Sequence, residues 1–260
     1  MTANPRGIAL IINNWSFDDH PEHGTLKTRK GSLQDLRQLR VLFKALGFVV
    51  KTKEDLNKTE LLNELDIVAS KDHSSYDCFV LWLMSHGRSG EVFCSDGETL
   101  PIKTAHDKFS NCETLRGKPK LFFIQACRGK KEDEGVAVMR DDASPSPIES
   151  PSQCSDPPAD KDKPLPAKVS PTHADFLYAY ATVDEYVSYR TSQGSFFVRG
   201  LVEAFRERAT RDHLLDILTN VNKRVSDMVA TLPALKDKTE IKDFKQASEF
   251  KSTLLKKVRF

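Results

Sequence analysis

The stretch "CFVLWLMSHG" (78–87) contains seven consecutive apolar residues and then reaches His86 and a glycine. An unbroken apolar run, in contrast to an alternating one, is typical of a central parallel strand that is covered on both faces. A second stretch, "LFFIQACRGKK" (121–131), has the same form and reaches Cys127. Two such strands predict an α/β protein with a largely parallel sheet.

The segments on either side alternate between strand and helix patterns. Helices with apolar stripes are predicted over 31–48, 57–70, 194–209 and 212–230, and strands over 7–14, 48–51, 78–84, 119–126, 174–182 and 252–260. "EVFCSDGETL" (91–100) has an Asp-Gly pair between two short β-like runs, which indicates a hairpin. This order predicts a parallel sheet with helices on both faces.

Composition limits the class of protein. The chain has 260 residues, 39% of them hydrophobic, which is enough for a substantial core. A net charge of +2 with 29% charged residues argues against nucleic acid or a membrane surface as the main partner. The longest apolar run is too short to span a bilayer, and no signal peptide is recognised. Five cysteines without a C-x-x-C pair favour a reducing compartment, with no disulfide framework, metal or other cofactor.

The alternation stops in the middle of the chain. Eight of the thirteen prolines lie between 145 and 171, mixed with Ser, Asp and Lys. Such a segment suits neither a helix interior nor a sheet ladder and has little to bury. We expect a linker that is open to proteases.

The two strand ends carry the chemistry. In open α/β sheets, sites form at the carboxyl ends of the strands, so His86 and Cys127 are predicted at one edge. A histidine there can take the thiol proton and later protonate a leaving amine. Taken alone, the cysteine is more often a small core residue and the histidine a structural donor. Their spacing leaves both interpretations open.

The motifs "QACRG" (125–129) and "SHGRSGEVFCSDG" (85–97) favour the catalytic interpretation. With them, the chain from Gly7 to Phe260 resembles a caspase, a cysteine protease that cuts after aspartate. The resemblance implies a three-layer sandwich around a mostly parallel six-stranded sheet. It also implies a large subunit over 1–142, an intersubunit linker over 143–171 and a small subunit over 172–260.

The resemblance also implies site residues. Those expected to act are the dyad His86 and Cys127, the oxyanion-hole amides of Gly87 and Cys127, the P1 aspartate pocket of Arg29, Gln125 and Arg190, the substrate-backbone and P2 residues Ser188 and Tyr189, and Phe196 in the P4 region. Two guanidinium groups leave surplus positive charge until an acid binds. A pocket of this kind discriminates against neutral side chains by about 10⁴-fold or more.

Activation is expected to follow the family. We predict autocatalytic cleavage of a zymogen after Asp142, which precedes a small residue, in preference to Asp133, Asp141, Asp156, Asp160 or Asp162. Several stretches look closest to death-receptor initiators, which act in apoptosis and are activated by dimerisation. The edge strand 253–260 is the expected dimer surface. We expect a homodimer, with an adaptor or another caspase as a possible further partner. The expected substrates are proteins with Asp at P1, and the expected location is cytoplasmic.

Some features depart from the family. Phe196 stands where many members have Trp, and the lysine-rich stretch 230–250 matches no fixed motif. Because the first strand begins at Gly7, we expect no adaptor-binding prodomain and favour a trimmed catalytic region. Two alternatives are a catalytically inactive regulator that heterodimerises with an active caspase, and a relative that cuts after Arg or Lys. The first would lack the dyad or the pocket arginines, and the second would need an acidic pocket.

Overall fold

The structure is a computed structural model that describes residues 1–17, 26–136, 171–235 and 238–260. Three features discussed above fall outside these residues. They are the processing site Asp142, all of the predicted linker except Pro171, and five of the six aspartates that were weighed as cleavage sites. Their predictions therefore stay predictions.

Up to Cys127, the described residues form seven strands and three helices. In chain order they are β1 (Gly7–Asn13), α1 (Ser32–Ala45), β2 (Val49–Glu54), α2 (Lys58–Ala69), β3 (Cys78–Met84), β4 (Gly87–Arg88), β5 (Glu91–Phe93), β6 (Thr99–Pro101), α3 (Ile102–Ser110) and β7 (Lys120–Gln125). A 3₁₀ turn, Glu113–Leu115, joins α3 to β7.

The remaining elements follow the cysteine. They are β8 (Gly129–Lys131), β9 (Phe176–Tyr180), β10 (Glu185–Tyr186), β11 (Arg190–Thr191), β12 (Gly194–Ser195), α4 (Phe196–Arg208), α5 (Leu214–Asp227), β13 (Ala230–Pro233), β14 (Ile241–Phe244) and β15 (Glu249–Ser252). None of the helices in the described ranges has the length and apolarity that a bilayer crossing needs.

Six strands form the central sheet in the order β15-β9-β7-β3-β1-β2. All neighbours are parallel except β15, which is antiparallel to β9 at one edge. One face packs on α1, α4 and α5, around Trp82 and Phe123, whose rings stack 4.7 Å apart. The other face packs on α2 and α3, around Phe79 and Phe109. This confirms the predicted three-layer fold with a mostly parallel six-stranded sheet.

Local signals act at the helix ends as the sequence suggests. Asn57 accepts a hydrogen bond from the Glu60 amide, and the Glu60 carboxylate accepts one from the Asn57 amide, so α2 begins with a capping box. Gly47 follows α1 with φ of 80°, the left-handed conformation that ends helices and that glycine adopts without strain. These caps fix where α2 starts and where α1 stops.

The prediction of a last strand over 253–260 is wrong. The edge strand is β15, and it ends at Ser252. Backbone bonds continue as far as Thr253, whose amide donates to Phe176 O (2.8 Å) and whose carbonyl accepts from the Asp175 amide (2.9 Å). The Leu255 amide then donates to a side chain, Asp175 Oδ1 (3.1 Å). The tail then leaves the sheet, and Phe260 packs against Phe205 with ring centroids 5.4 Å apart.

The stretch that matched no motif also has structure. Strands β13 and β14 form an antiparallel hairpin within 230–250, with Ala230 opposite Phe244. The buried ends of this hairpin, Ala230 and Phe244, join the core beside α4 and α5, while Ile241 is exposed. The hairpin continues directly into the segment that supports the candidate site.

Candidate active site

The register of β3 and β7 determines where the two strand ends lie. These strands are parallel, and Met84 is the ladder partner of Gln125. His86 and Cys127 each follow their strand by two residues, and the Ser85 amide extends the pairing by donating to Gln125 O (3.2 Å). The structure therefore brings the predicted pair to the same edge of the sheet.

Gly87 lies tightly against the segment that carries the cysteine. A Cβ atom on Gly87 would be 2.8 Å from Ala126 Cβ, from Cys127 O and from Glu91 O. Real Cβ atoms do not approach this closely, so the site requires glycine here for close packing. The backbone of the residue after His86 is thus in contact with the backbone of Cys127.

The Cys127 thiol is partly exposed and faces Ser188. Its Sγ accepts a hydrogen bond from the Ser188 amide at 3.4 Å, and it lies 3.9 Å from both Ser188 O and Ser188 Oγ. This contact joins the end of β7 to the segment just before β11.

The His86 imidazole is half-buried and bonds the loop before α1. Its Nε2 lies 2.7 Å from Lys27 O, and its ring meets the Phe17 ring edge to face at 4.9 Å. Burial lowers the pKa of His86 to about 4 against the opposing effect of the Lys27 carbonyl, and Arg29 and Arg190 add to the lowering. A neutral imidazole, the form that accepts a proton, therefore predominates at neutral pH.

Arg29 is a buried cation at the base of the site, with an exposed fraction of 3%. Its Nη1 donates to Asn14 O (2.8 Å), Ser32 Oγ (3.1 Å) and Asn13 Oδ1 (3.3 Å), which fixes the guanidinium plane. Its Nε has no partner among the described residues. Burial, followed by the charge of Arg190, lowers the pKa of Arg29. The Arg29 guanidinium therefore has one N–H donor without a partner among the described residues, and a bound negative charge would stabilise it.

Arg190 approaches the same place from the other half of the chain. It belongs to the short hairpin of β11 and β12, and its Nε lies 3.6 Å from Asp35 Oδ2. Burial lowers the pKa of Arg190, and Asp35 opposes that effect. Because each of the two arginines affects the pKa of His86, and Arg190 that of Arg29, the predicted pocket cations share one electrostatic environment.

Gln125 is fully buried between these groups. Its Nε2 donates to Ser188 Oγ (3.1 Å), while its Oε1 has no partner among the described residues. The Nε2 group carries two hydrogens, and Ser188 is its one hydrogen-bond partner among the described residues. The structure therefore brings Gln125 to the site with a second amide hydrogen that a ligand can accept.

Tyr189 and Phe196 form the wall behind this segment. The Tyr189 amide donates to Gln246 Oε1 (2.6 Å), and the Tyr189 ring stacks on Phe244 at 6.0 Å. Phe196 is 2% exposed and packs on Tyr189 at 6.2 Å, so its side chain lies in the core of this structure. The P4 role of Phe196 stays a prediction.

Sequence reasoning missed two supporting residues. Asp35 was assigned no role from the sequence, and its side-chain contacts lie in the C-terminal half of the chain. Gln246 lies in the lysine-rich stretch, where no periodicity marked it. Its Nε2 donates to Ala181 O (2.7 Å), so it ties Tyr189 to the end of β9. A buried glutamine that bonds backbone groups leaves no sequence signal.

The chain is similar in sequence to known proteins. The family model described as "Caspase domain" matches residues 6–259. The chain is 34% identical over 258 residues to Caspase-2 of Gallus gallus, covering 98% of this chain and 58% of that protein. It is 34% identical over 263 residues to Caspase drICE of Drosophila melanogaster, covering 100% and 71%.

A third relative has a longer chain of its own. The identity to Caspase-8 of Mus musculus is 36% over 235 residues, which cover 87% of this chain and 47% of that protein. The chain thus spans about half to three quarters of the length of these relatives.

Proposed function

Because this chain belongs to the caspase family, we propose that it is a cysteine endopeptidase that cleaves peptide bonds after aspartate. One observation carries the proposal. The strand ends that hold His86 and Cys127 lie side by side, and two desolvated guanidinium groups share their electrostatic environment. A thiol, a neutral imidazole and surplus positive charge together suit attack beside a short acidic side chain.

The reaction follows from these groups. His86 takes the Cys127 proton, and the thiolate attacks the carbonyl carbon of the P1 aspartate. The carbonyl oxygen becomes an oxyanion, for which the amides of Gly87 and Cys127 are the proposed donors. The C–N bond then breaks, the amine leaves with the proton from His86, and a thioester forms. Water attacks the thioester, His86 takes its proton and returns it to Cys127, and the acid product leaves.

Arg29 and Arg190 are the proposed partners of the P1 carboxylate. Arg29 is held rigidly by its Nη1 bonds, and its Nε is buried without a partner among the described residues. A carboxylate would satisfy that donor, whereas a neutral side chain would leave it unpaired. Gln125 adds an amide donor, since its bond to Ser188 uses one of two hydrogens. Ser188 and Tyr189 are the proposed contacts of the substrate backbone and of the P2 side chain.

The regulation that we propose is that of an apoptotic initiator. The chain would act as a homodimer, activated by dimerisation and by its own cleavage after Asp142. Strand β15 supports this, because it is an edge of the six-stranded sheet and its outer side pairs with no strand of the described residues, so another strand could pair there. An adaptor or another caspase as partner, and a cytoplasmic location, complete the proposal.

The direct test is turnover of four peptides that differ only in P1 (Asp, Asn, Glu and Arg). We expect the Asp peptide to be preferred over Asn by about 10⁴-fold or more. Cys127→Ala should abolish cleavage, and Cys112→Ala, which removes a buried thiol remote from the site, should leave it unchanged. Equal rates for Asp and Asn would refute the pocket, and activity in Cys127→Ala would refute the mechanism. No turnover by the dimeric wild type would favour the inactive regulator.

A further inference from the structure

Asp35 is a fully buried carboxylate in the first turn of α1. Its Oδ1 accepts a hydrogen bond from the Ser195 amide at 2.9 Å, and its Oδ2 lies 3.6 Å from Arg190 Nε. Both contacts are with the β11–β12 hairpin, about 160 residues further along the chain. A charged group is buried only where it is paired, so this position is a strong constraint on the fold.

Two glycines let the hairpin come this close. Gly194 has φ of 109°, and a Cβ atom there would lie 2.3 Å from Asp35 Oδ1. Gly31, with φ of 85°, precedes α1, and a Cβ atom there would lie 2.5 Å from Thr191 O. The hairpin therefore packs directly on the start of α1, and the Asp35 carboxylate is enclosed between them. A residue larger than glycine would not fit at Gly31 or at Gly194.

The charges of this cluster do not balance without a ligand. Arg29 and Arg190 bring two positive charges, and Asp35 brings one negative charge when it is ionised. Burial raises the pKa of Asp35, while the Ser195 amide and the two arginines oppose that effect. Asp55, which has the smallest of the named effects on the pKa of Arg29, is bonded by the Trp15 and Ser16 amides. One carboxylate from a bound ligand would make the cluster neutral. Without Asp35, two buried cations would face each other, and a single acid would leave one of them uncompensated.

We propose that Asp35 is a positioning residue that holds Arg190 and its hairpin ready for the P1 carboxylate and sets the cluster to accept a single negative charge. This inference rests on the proposed function. Asp35 itself is covered by the hairpin and touches neither the substrate nor the reacting atoms. It acts through Arg190, so it should affect which substrate binds and how tightly, more than the rate of the chemical step.

The test compares Asp35→Asn with the wild type on the Asp and Asn P1 peptides. Asparagine keeps an oxygen for the Ser195 amide and removes the charge. We expect kcat/KM for the Asp peptide to fall about 10- to 100-fold, almost entirely through a higher KM. The preference for Asp over Asn should fall by the same factor, because the Asn peptide does not need the placed guanidinium.

A matched control is Glu64→Gln. Glu64 is another buried carboxylate with a basic partner, Lys53 at 2.9 Å, but it lies on α2, away from the site. This control should change neither KM nor the Asp preference. A loss of kcat at constant KM in Asp35→Asn, or no change in either constant, would overturn the inference and leave the proposed function intact. No Asp preference in the wild type would overturn both.

A second measurement covers the case in which Asp35→Asn does not fold. Hydrogen exchange of the Ser195 amide is followed by NMR in wild-type protein labelled with ¹⁵N-serine, without any peptide. Slow exchange is expected, because Asp35 holds this amide before a substrate arrives. Exchange at the rate of an open loop would show that the hairpin is not anchored in the free protein and would overturn the inference.

Discussion

Arg29 Nη2 donates a hydrogen bond to the Gln125 carbonyl at 3.4 Å, so the loop before α1 is fastened to the end of β7. The side chain of Gln125 is fully buried as well. A negative charge at residue 125 would therefore interact directly with Arg29 and Arg190.

In Gln125→Glu, the new carboxylate should compete with the P1 carboxylate of the substrate for the two arginines. The new carboxylate has nearly the size of the amide but carries the charge that the substrate would bring. We expect kcat/KM for the Asp peptide to fall about 100-fold or more, because like charges then face each other across the pocket. The Asn peptide should lose less. Gln193→Glu, on the exposed turn of the β11–β12 hairpin, is the control and should leave both peptides unchanged.

The imidazole of His86 should titrate at about pH 4 in the free protein. Its NMR signal, followed against pH, measures this directly. Arg190→Gln should raise the pKa of His86, because it removes a nearby cation that disfavours the charged imidazole. Arg206→Gln, on the exposed surface of α4, should leave the titration unchanged. A titration at the ordinary pH of a free histidine in the wild type would contradict the burial of this group.

Gly87→Ala should separate the two strand ends. The added methyl would meet the Ala126 side chain and the carbonyl oxygens of Cys127 and Glu91. We expect kcat to fall about 100-fold or more, because a displacement of about 1 Å is enough to spoil the attack geometry. Gly90→Asn is the control, since this position has open space and a left-handed φ of 73° that asparagine tolerates. Full activity in Gly87→Ala would show that the close contact is dispensable.

Acid should destabilise the fold through His73. This fully buried ring bonds Val68 O through Nε2 (2.9 Å), and its Nδ1 has no partner among the described residues. Burial lowers the pKa of His73, so the unfolded chain takes up a proton first as the pH falls below about 6.5. The stability is therefore complete above the unfolded pKa and is lost as the pH falls toward the folded pKa.

Urea unfolding between about pH 8 and about pH 5.5 tests this linkage. The wild type should lose stability over this range, and His73→Gln should lose less. Glutamine keeps a donor for Val68 O and cannot be protonated. Between about pH 9 and about pH 8, where histidine is neutral in both the folded and the unfolded chain, the free energies of unfolding of the two proteins should change equally with pH. If the free energy of unfolding fell equally with pH in both proteins at acid pH, His73 would be excluded as a source of the effect.

The sequence predicted the parts of the fold and site that depend on local pattern. The apolar runs of β3 and β7 identified central strands, and the pairing of their last residues, Met84 and Gln125, brings His86 and Cys127 to one edge. The tail after Ser252 misled because its apolar residues, such as Val258 and Phe260, look like a strand but pack against helices and neighbouring core. Pattern alone cannot tell which surface an apolar residue will cover.

The supporting contacts could not be predicted from the sequence. Asp35 meets Ser195 across 160 residues, and Gln246 bonds the backbone at Tyr189 and Ala181. Such contacts depend on the assembled sheet and on the positions of backbone groups, which are the same for every residue type. The type of chemistry was therefore predictable, while the means by which its groups are held was not.

Strand β9, which follows the proline-rich segment, is paired with β7 from Lys120 opposite Phe176 to Ile124 opposite Tyr180. If the backbone is severed between these strands, the two fragments stay joined by a shared sheet and core. Unfolding then becomes dissociation, and recovery becomes a second-order process that depends on how often the fragments meet. The midpoint of melting of the nicked molecule should rise with its concentration, whereas that of the uncut monomer should not.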